Sequence, residues 1–226
     1  MFLAHINPLQ ASIFSSLAVA SLLLTFVMLG SHWLRNYVYA FAVQSWLIAA
    51  LSASVGYFAG YPELYLIAIL TALFRGLVLP FLLTRIIARL NVKREIHTVL
   101  QPSSSLVLGA FLVMFAFVIA NHMNRQSLLA AHVVVLALTI MFSMKFLGFL
   151  MLSVRDEAVS QILGLLVLEN GIFLGAQILV PGMPLLIEIV ILFDLLIVVA
   201  CFGMLVRFLV VHAGTTSSRQ LNRLVG

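Results

Sequence analysis

Residues 166–171 read LVLENG, which sets a carboxylate and an amide in the middle of an apolar segment. Such a segment can lie inside a lipid bilayer, where an acidic side chain costs roughly 2.5 to 3.5 kcal/mol even on the lower insertion-based scales. Residues of this kind usually face protein or water, and they often carry ions. Glu169 therefore points to a function inside a membrane. The next apolar segment adds Glu188 and Asp194.

The composition of the chain is that of an integral membrane protein. Hydrophobic residues make up 64% and charged residues 8% of the 226 positions, the reverse of what a soluble domain needs. The net charge of +5 does not predict nucleic-acid binding, because the sequence has no continuous basic face and no basic-aromatic interleaving. Cys201 is the single cysteine and no Cys/His cluster has metal-ligand spacing, so we expect no haem, iron-sulfur or zinc site. The first apolar run lacks the features of a signal peptide and is expected to remain as a membrane anchor.

Apolar segments of about 20 residues, the length of a spanning helix, divide the chain into seven units. Polar or Gly/Pro-rich stretches separate these units, and no soluble domain fits between any two. We therefore predict an all-α integral membrane protein with a single multi-pass domain over residues 1–226. The seven transmembrane helices are predicted near residues 12–33, 38–59, 63–88, 104–121, 127–152, 158–179 and 184–210.

The basic residues predict the orientation of these helices, because cytoplasmic loops of membrane proteins are enriched in Lys and Arg. With the N-terminus outside, only Arg125 of the 12 Lys and Arg lies outside, and Arg75 and Lys145 lie within the membrane. The pattern favours a protein of the cytoplasmic (inner) membrane with its N-terminus out and its C-terminus in. The nine basic residues on the cytoplasmic side are then Arg35, Arg85, Arg89, Lys93, Arg94, Arg155, Arg207, Arg219 and Arg223.

Charged side chains within the predicted helices form a separate set. An isolated charge in a low dielectric is costly, so we expect these cations and anions to pair directly or through water. Simpler alternatives are that Arg75 snorkels or neutralises a carboxylate of a partner subunit, and that Glu188 lies at the membrane interface. A further alternative is that the acidic residues form purely structural ion pairs. The set comprises Arg75, Lys145, Glu169, Glu188 and Asp194.

The third segment places a proline close to its buried cation. Pro80 cannot donate a hydrogen bond to the carbonyl of Gly76, which predicts a kink and a bare acceptor beside Arg75. Arg75 lies about 12 residues after Glu63 and about 10 before Arg85, too far from either end of its segment to snorkel comfortably, so we expect its guanidinium to face the protein interior.

The sixth segment has separate faces for packing and for polar chemistry. At about 100° per residue, one stripe is rich in glycine and permits close approach of a second helix. Glu169 points well away from this stripe, and Asn170 and Gln177 share a third face. The stripe consists of Gly164, Leu168, Gly171 and Gly175.

These motifs resemble those of a known family. The runs QILGLLVLENG at residues 161–171 and PLLIEI at residues 184–189, followed by Phe193-Asp194, are similar to the membrane subunit called hydrogenase-4 component E. Arg75 with Pro80 resembles the third segment of that family, and the similarity spans nearly the whole chain. Residues 127–226 also resemble the K-type subunit of NADH-quinone oxidoreductases and the C-type subunit of multisubunit cation/proton antiporters.

The resemblance implies a membrane subunit of a complex I-related redox complex of the hydrogenase-4 or formate hydrogenlyase type. Such a subunit holds no cofactor and is not an enzyme on its own. Its partners are antiporter-like and quinone-subunit-like membrane proteins and a soluble redox arm. Glu169 and Asp194 match the carboxylates of the K-type proton path, and Glu188, Lys145 and Arg75 are expected to contribute to it.

The sequence departs from the K-type pattern in two ways. The family usually spaces its Glu and Asn further apart than Glu169 and Asn170, and its second carboxylate is Glu where this chain has Asp194. The order of the proton stations therefore stays open, as do the transported ion and the reaction of the redox arm.

Other functions remain as alternatives. The nearest is a subunit of a cation/proton antiporter without a redox partner. A self-contained transporter is expected to show an internal repeat, which we do not find, and a structural scaffold has no need of three buried carboxylates.

Overall fold

The computed structural model describes residues 7–89, 101–126, 132–156 and 158–179, together with residues 200 and 204. Within these ranges the chain is almost entirely helical and forms no strand, which confirms the all-α class for this part of the protein. The elements are α1 (Pro8–Gly30), α2 (Leu34–Ala59), α3 (Glu63–Leu73), a π-helical turn (Phe74–Val78), α4 (Leu79–Arg89), α5 (Pro102–Gln126), α6 (His132–Val154) and α7 (Ala158–Leu179).

Local sequence signals set the ends of the first two helices. Asn7 caps α1, because its side chain accepts a hydrogen bond from the N–H of Leu9 while Gln10 accepts one from the N–H of Asn7. Pro8 then takes the first helical position, where a missing N–H has no cost. At the C-terminal end of α2, Gly60 ends the helix with a left-handed φ of 73°.

Five helical segments of the described chain are long and apolar enough to cross a membrane, which makes the protein multi-pass. They are Pro8–Gly30, Leu34–Ala59, Glu63–Arg85, Pro102–Asn124 and His132–Val154. The helix α7 has 22 residues and is not among these five. The first six predicted segments each coincide with observed helical structure, and the seventh, residues 184–210, lies outside the described part of the chain apart from two isolated positions.

Arg155 fixes the C-terminal ends of α1 and α6 at the same end of the bundle. Its side chain is only 2% exposed, although the sequence indicated a loop cation. Nη2 donates to the carbonyls of Met28 and Leu29 at 3.0 and 2.8 Å, and Nη1 donates to that of Ser31 at 3.1 Å. The carbonyl of Met28 also accepts from the N–H of Ser31 at 3.2 Å, and the guanidinium adds a C-terminal cap that reaches all three carbonyls.

The buried interior consists of two apolar clusters with a polar layer between them. The first cluster includes Leu34, Phe41, Leu79, Met151 and Val167, and the second includes Ala18, Ile48, Ile67, Ile140 and Phe173. Along α2, for example, Gln44 falls between Phe41 and Ile48. We call the fully buried set between the clusters the polar layer; its members are Ser21, Thr25, Gln44, Ser45, Thr71, Arg75, Ser143 and Asn170.

The glycine stripe of α7, predicted to allow close approach of a second helix, packs against α6. A Cβ atom on Gly171 would lie 2.7 Å from the Cβ of Met144, and one on Gly164 would lie 3.0 Å from the Cβ of Met151. A glycine of α6 faces the same stripe, since a Cβ on Gly148 would lie 2.8 Å from the carbonyl oxygen of Gly164. The two backbones therefore approach closely, and this contact fixes how α7 presents its polar residues.

Candidate functional site

Arg75 lies in the π-helical turn Phe74–Val78, and its side chain is fully buried. The turn ends just before Pro80, whose ring removes a donor and crowds the preceding turn of helix. The helix widens at this point, and the N–H of Leu79 bonds to the carbonyl of Phe74, five residues earlier. The predicted distortion beside Arg75 thus takes the form of a π-helical turn, a feature that is frequent at functional sites.

Helix α7 supplies the partner of this guanidinium. Nη1 of Arg75 donates a hydrogen bond of 2.7 Å to Oδ1 of Asn170. The Cζ atom of Arg75 also lies 5.0 Å from the centre of the Phe173 ring, a distance that gives a cation–π attraction. One turn of α7 therefore provides both an oxygen acceptor and an aromatic face to the buried cation.

Asn170 connects the cation to helix α2. Its Nδ2 donates to Oε1 of Gln44 at 3.0 Å, and both side chains are fully buried. Gln44 in turn donates from Nε2 to Oγ1 of Thr25 at 2.8 Å and to the carbonyl of Ser21 at 2.9 Å. The chain of hydrogen bonds thus runs from the π-helical turn through α7 and α2 to α1.

Every donor in this chain points away from Arg75. Asn170 and Gln44 each turn their carbonyl oxygen toward the guanidinium side and their amino group toward α1. The negative ends of two aligned amide dipoles therefore face the positive charge. In a low dielectric, the successive hydrogen bonds of such a chain polarise and strengthen one another. This alignment offsets part of the cost of burying a cation in the middle of a membrane protein.

Glu169 lies on a different face of α7 from Asn170. Its side chain is half-buried, as are those of Leu165, Ile172 and Ala176, which share its side of the helix. Consecutive residues of a helix are about 100° apart, so Arg75 contacts α7 at the residue beside Glu169 while the carboxylate faces another direction. The predicted separation of Glu169 from both the glycine stripe and the Asn170 face is confirmed.

Lys145 lies on α6 near the same level of α7. It is half-buried, and its Nζ lies 6.0 Å from the centre of the Phe142 ring. A Cβ on Gly171 would lie 3.5 Å from the backbone nitrogen of Lys145, which places the lysine backbone against α7 two residues from Glu169. The other two predicted proton-path residues, Glu188 and Asp194, lie outside the described residues.

Two buried polar side chains lie on either side of the contact between Arg75 and Asn170. Thr71, a member of the polar layer, lies toward the N-terminal end of α3, and Gln177 lies toward the C-terminal end of α7. Thr71 precedes Arg75 by four residues, and Gln177 follows Asn170 by seven. Within the described chain, neither the Thr71 hydroxyl nor the Gln177 amide has a hydrogen-bond partner. Most buried hydroxyls of the described helices donate a hydrogen bond to the backbone carbonyl one turn earlier, including those of Ser21, Thr25, Ser45, Ser52, Thr139 and Ser143. Thr71 differs from them, because its hydroxyl does not bond back to its own helix.

The polar layer is built around a buried cation and not around metal ligands. Its side chains are a guanidinium, amides and hydroxyls, and no group of three His, Cys, Asp or Glu within reach of one metal ion occurs among the residues described. Sequence reasoning identified Arg75, Asn170 and the faces of α7, but it did not identify Gln44, Thr25 or Ser21. The available signal was a glutamine in the middle of an otherwise apolar segment.

A protein of Mycobacterium tuberculosis strain H37Rv, named "Uncharacterized protein Rv0085", is similar to this chain. The two are 32% identical over 173 residues, which cover 76% of this chain and 77% of the mycobacterial protein. No protein-family model matches the chain, and no solved structure does. At this identity and coverage, the chain belongs to the family of the mycobacterial protein Rv0085.

Proposed function

We propose that the chain is a membrane subunit of a proton-translocating redox complex related to hydrogenase-4 and formate hydrogenlyase. In this proposal it crosses the cytoplasmic membrane seven times, with its N-terminus out and its C-terminus in. It holds no cofactor and is not an enzyme on its own. Antiporter-like and quinone-subunit-like membrane proteins surround it, and a soluble redox arm performs the electron transfer.

The proposal rests on the buried contact between Arg75 and Asn170. A charged group buried in a protein is weak evidence for stability, because apolar residues of similar volume often stabilise the fold equally well. Intramembrane charges instead mark ion pathways and proton relays. Arg75 is fully buried, and its acceptor is the residue next to the carboxylate of Glu169.

Each charged residue has a distinct part in this function. Glu169 takes up and releases the proton, because it is ionisable and lies on a half-buried face of α7. Arg75 and the aligned amides create the electric field in which that proton is held. Lys145 adds a second cation near the same level. Asp194 and Glu188 continue the path, as the resemblance implies.

Coupling to the redox arm requires that a distant event change this field. The hydrogen bond between Arg75 and Asn170 joins a π-helical turn to the middle of α7. A shift of either helix therefore changes the distance between the guanidinium and α7, and with it the proton affinity around Glu169. Switches of this kind combine a local change of charge or packing with an element that has two arrangements.

Co-purification tests the partner complex. The tagged chain is extracted from its native host in a mild detergent, and the proteins that remain bound are identified by mass spectrometry. We expect antiporter-like membrane subunits together with soluble redox subunits. Antiporter subunits without any redox protein would support the antiporter alternative, and a chain that purifies alone would contradict both assemblies.

A matched pair of carboxylate variants tests the role of Glu169. Glu169→Gln preserves the shape of the side chain but cannot ionise, so we expect an assembled complex whose redox turnover no longer acidifies or alkalinises vesicles. Glu63→Gln removes a carboxylate at the exposed start of α3 and should leave proton transfer unchanged. Normal transfer in Glu169→Gln would contradict the proposal, and loss of assembly would favour a structural ion pair.

Cysteine labelling tests the orientation. Ser103, in the first turn of α5, and Ser218, in the C-terminal region, are both predicted to face the cytoplasm. Ser103→Cys and Ser218→Cys should react with a membrane-impermeant maleimide only after the cells are permeabilised. Opposite accessibility at the two sites would mean that the number of spans between them is wrong.

A further inference from the structure

A groove of about 760 Å³ lies between the N-terminal end of α2 and the C-terminal part of α4. This volume is within the usual range of small-molecule sites. The groove opens at the same end of the bundle as the polar turn that links α1 to α2. It is therefore expected near the membrane surface.

A fixed guanidinium lines the polar end of the groove. Nε and Nη2 of Arg35 donate to the hydroxyl of Tyr39 at 3.2 and 3.1 Å, and the Arg35 Cζ lies 5.5 Å from the centre of the Tyr39 ring. These contacts hold Arg35 along α2. Its remaining N–H groups have no hydrogen-bond partner among the described residues and can bind an anion.

Two other features add positive potential. Trp33, the residue before α2, makes no side-chain hydrogen bond to the first turn, so this helix end has no side-chain cap and its dipole adds positive potential. On α4, Arg85 lies beside the groove residue Thr84, and its Cζ is 5.9 Å from the centre of the ring of Phe81, which also lines the groove. The groove lining contains no acidic side chain.

The rest of the groove lining is apolar, with Val38 and Pro80 buried at its base and Phe81 and Ile87 closer to its opening. Phe81 is 60% exposed. Trp33 and Tyr39 at the polar end are about half exposed, which is typical of aromatic side chains at a membrane-water interface. A ligand that fits this surface needs an anionic head and a hydrocarbon tail.

We propose that this groove binds an anionic phospholipid. The phosphate lies against Arg35 and the first turn of α2, and an acyl chain lies along Phe81 and Ile87. Basic pockets between transmembrane helices bind anionic head groups in this manner. The proposal does not depend on the redox function described above, because the groove is separate from the polar layer.

Tryptophan fluorescence gives a direct test, because the chain has only two tryptophans and only Trp33 lines the groove. The full chain carrying Trp46→Phe is reconstituted in phosphatidylcholine vesicles. Brominated phosphatidylglycerol or brominated phosphatidylcholine is then added at increasing mole fraction, and quenching of Trp33 gives the relative association of each lipid.

We expect Trp33 to favour phosphatidylglycerol by roughly fivefold, the effect of one basic side chain near a charged lipid. Adding Arg35→Gln should remove the preference, whereas Arg35→Lys should retain most of it. Arg125→Gln, in the last turn of α5, makes the same change of net charge and should leave the preference intact. A Trp33→Phe chain, in which Trp46 is the reporter, should show no preference because Trp46, although 49% exposed, does not line the groove.

Three results would overturn the proposal. Equal quenching by the two lipids would mean that the groove does not select charge. A preference that survives Arg35→Gln would indicate general attraction to the basic end of the protein. Absence of quenching by either lipid would show that another protein segment covers the groove.

Discussion

Nη1 of Arg75 and Oδ1 of Asn170 are 2.7 Å apart, so the middle of α7 is bonded to the π-helical turn between α3 and α4. Hydrogen bonds with a charged partner are among the stronger ones in proteins. This bond also forms next to Glu169, and its amide partner donates onward to Gln44. The same hydrogen bond therefore contributes to the stability of the fold and to the proposed proton transfer. The two contributions can be measured separately.

Replacement of Asn170 by leucine removes the acceptor of Arg75 and the donor to Gln44. Because a buried guanidinium then loses a charged hydrogen bond, we expect the free energy of unfolding to fall by about 2 to 3 kcal/mol. Asn170→Asp keeps an oxygen acceptor and should lose less. Thermal or denaturant unfolding in detergent measures both, and equal stability of the leucine variant and the parent chain would show that Arg75 does not depend on this amide.

Sequence periodicity predicted the faces of α7 but not their partners. The spacing of Gly164, Gly171, Glu169 and Asn170 fixes their relative directions on a helix, whatever surrounds it. Which helix meets each face depends on tertiary packing, and nothing in the periodicity of α2 indicated that Gln44 meets Asn170.

The contact between α6 and α7 predicts a sharp difference between two glycines. In Gly171→Ala the new Cβ would lie 2.7 Å from the Cβ of Met144, so the helices must separate. We expect a loss of about 1 to 3 kcal/mol, the usual cost of overpacking. Gly30→Ala is the matched control, because its Cβ would meet only the Leu106 side chain at 3.5 Å, and it should change stability by less than about 0.5 kcal/mol. Similar melting temperatures for both variants would contradict the close approach.

Arg155 gives a third prediction, which concerns the end of α1. Its guanidinium donates to the carbonyls of Met28, Leu29 and Ser31. Arg155→Ala should lower the free energy of unfolding by about 2 to 3 kcal/mol and speed amide hydrogen exchange in the last turn of α1. Arg155→Lys keeps the charge but cannot reach three acceptors with a planar fork, so it should restore only part of the protection. Unchanged exchange in the alanine variant would mean that α1 is capped by other groups.

The two roles of arginine in this chain could not be separated by sequence alone. Arg155 follows a predicted helix and was counted with the basic residues that set orientation, yet it is buried against α1. Arg75 was expected in the interior because it lies far from both ends of its segment, and the structure places it there. Distance along the helix is visible in a sequence, whereas the end of a neighbouring helix is not.

Thr71 provides the last prediction, because its buried hydroxyl has no hydrogen-bond partner in the described chain. If the hydroxyl has only a packing role, its replacement by a methyl group removes an unsatisfied polar group and should stabilise the protein. We expect Thr71→Val to raise the free energy of unfolding by about 1 kcal/mol. Thr71 also lies one turn from Arg75, and a hydroxyl that is not bonded to its own helix can exchange a proton with a neighbouring group on the path. The same variant should therefore slow coupled proton transfer.

Thr139→Val is the control for Thr71→Val, since the Thr139 hydroxyl already donates to the carbonyl of Val135 at 2.7 Å. It should give no gain in stability and no change in proton transfer. If Thr71→Val gives higher stability together with slower proton transfer, the hydroxyl of Thr71 serves function and not packing. Higher stability with an unchanged transfer rate would remove Thr71 from the proton path, because a group on that path cannot lose its hydroxyl without consequence.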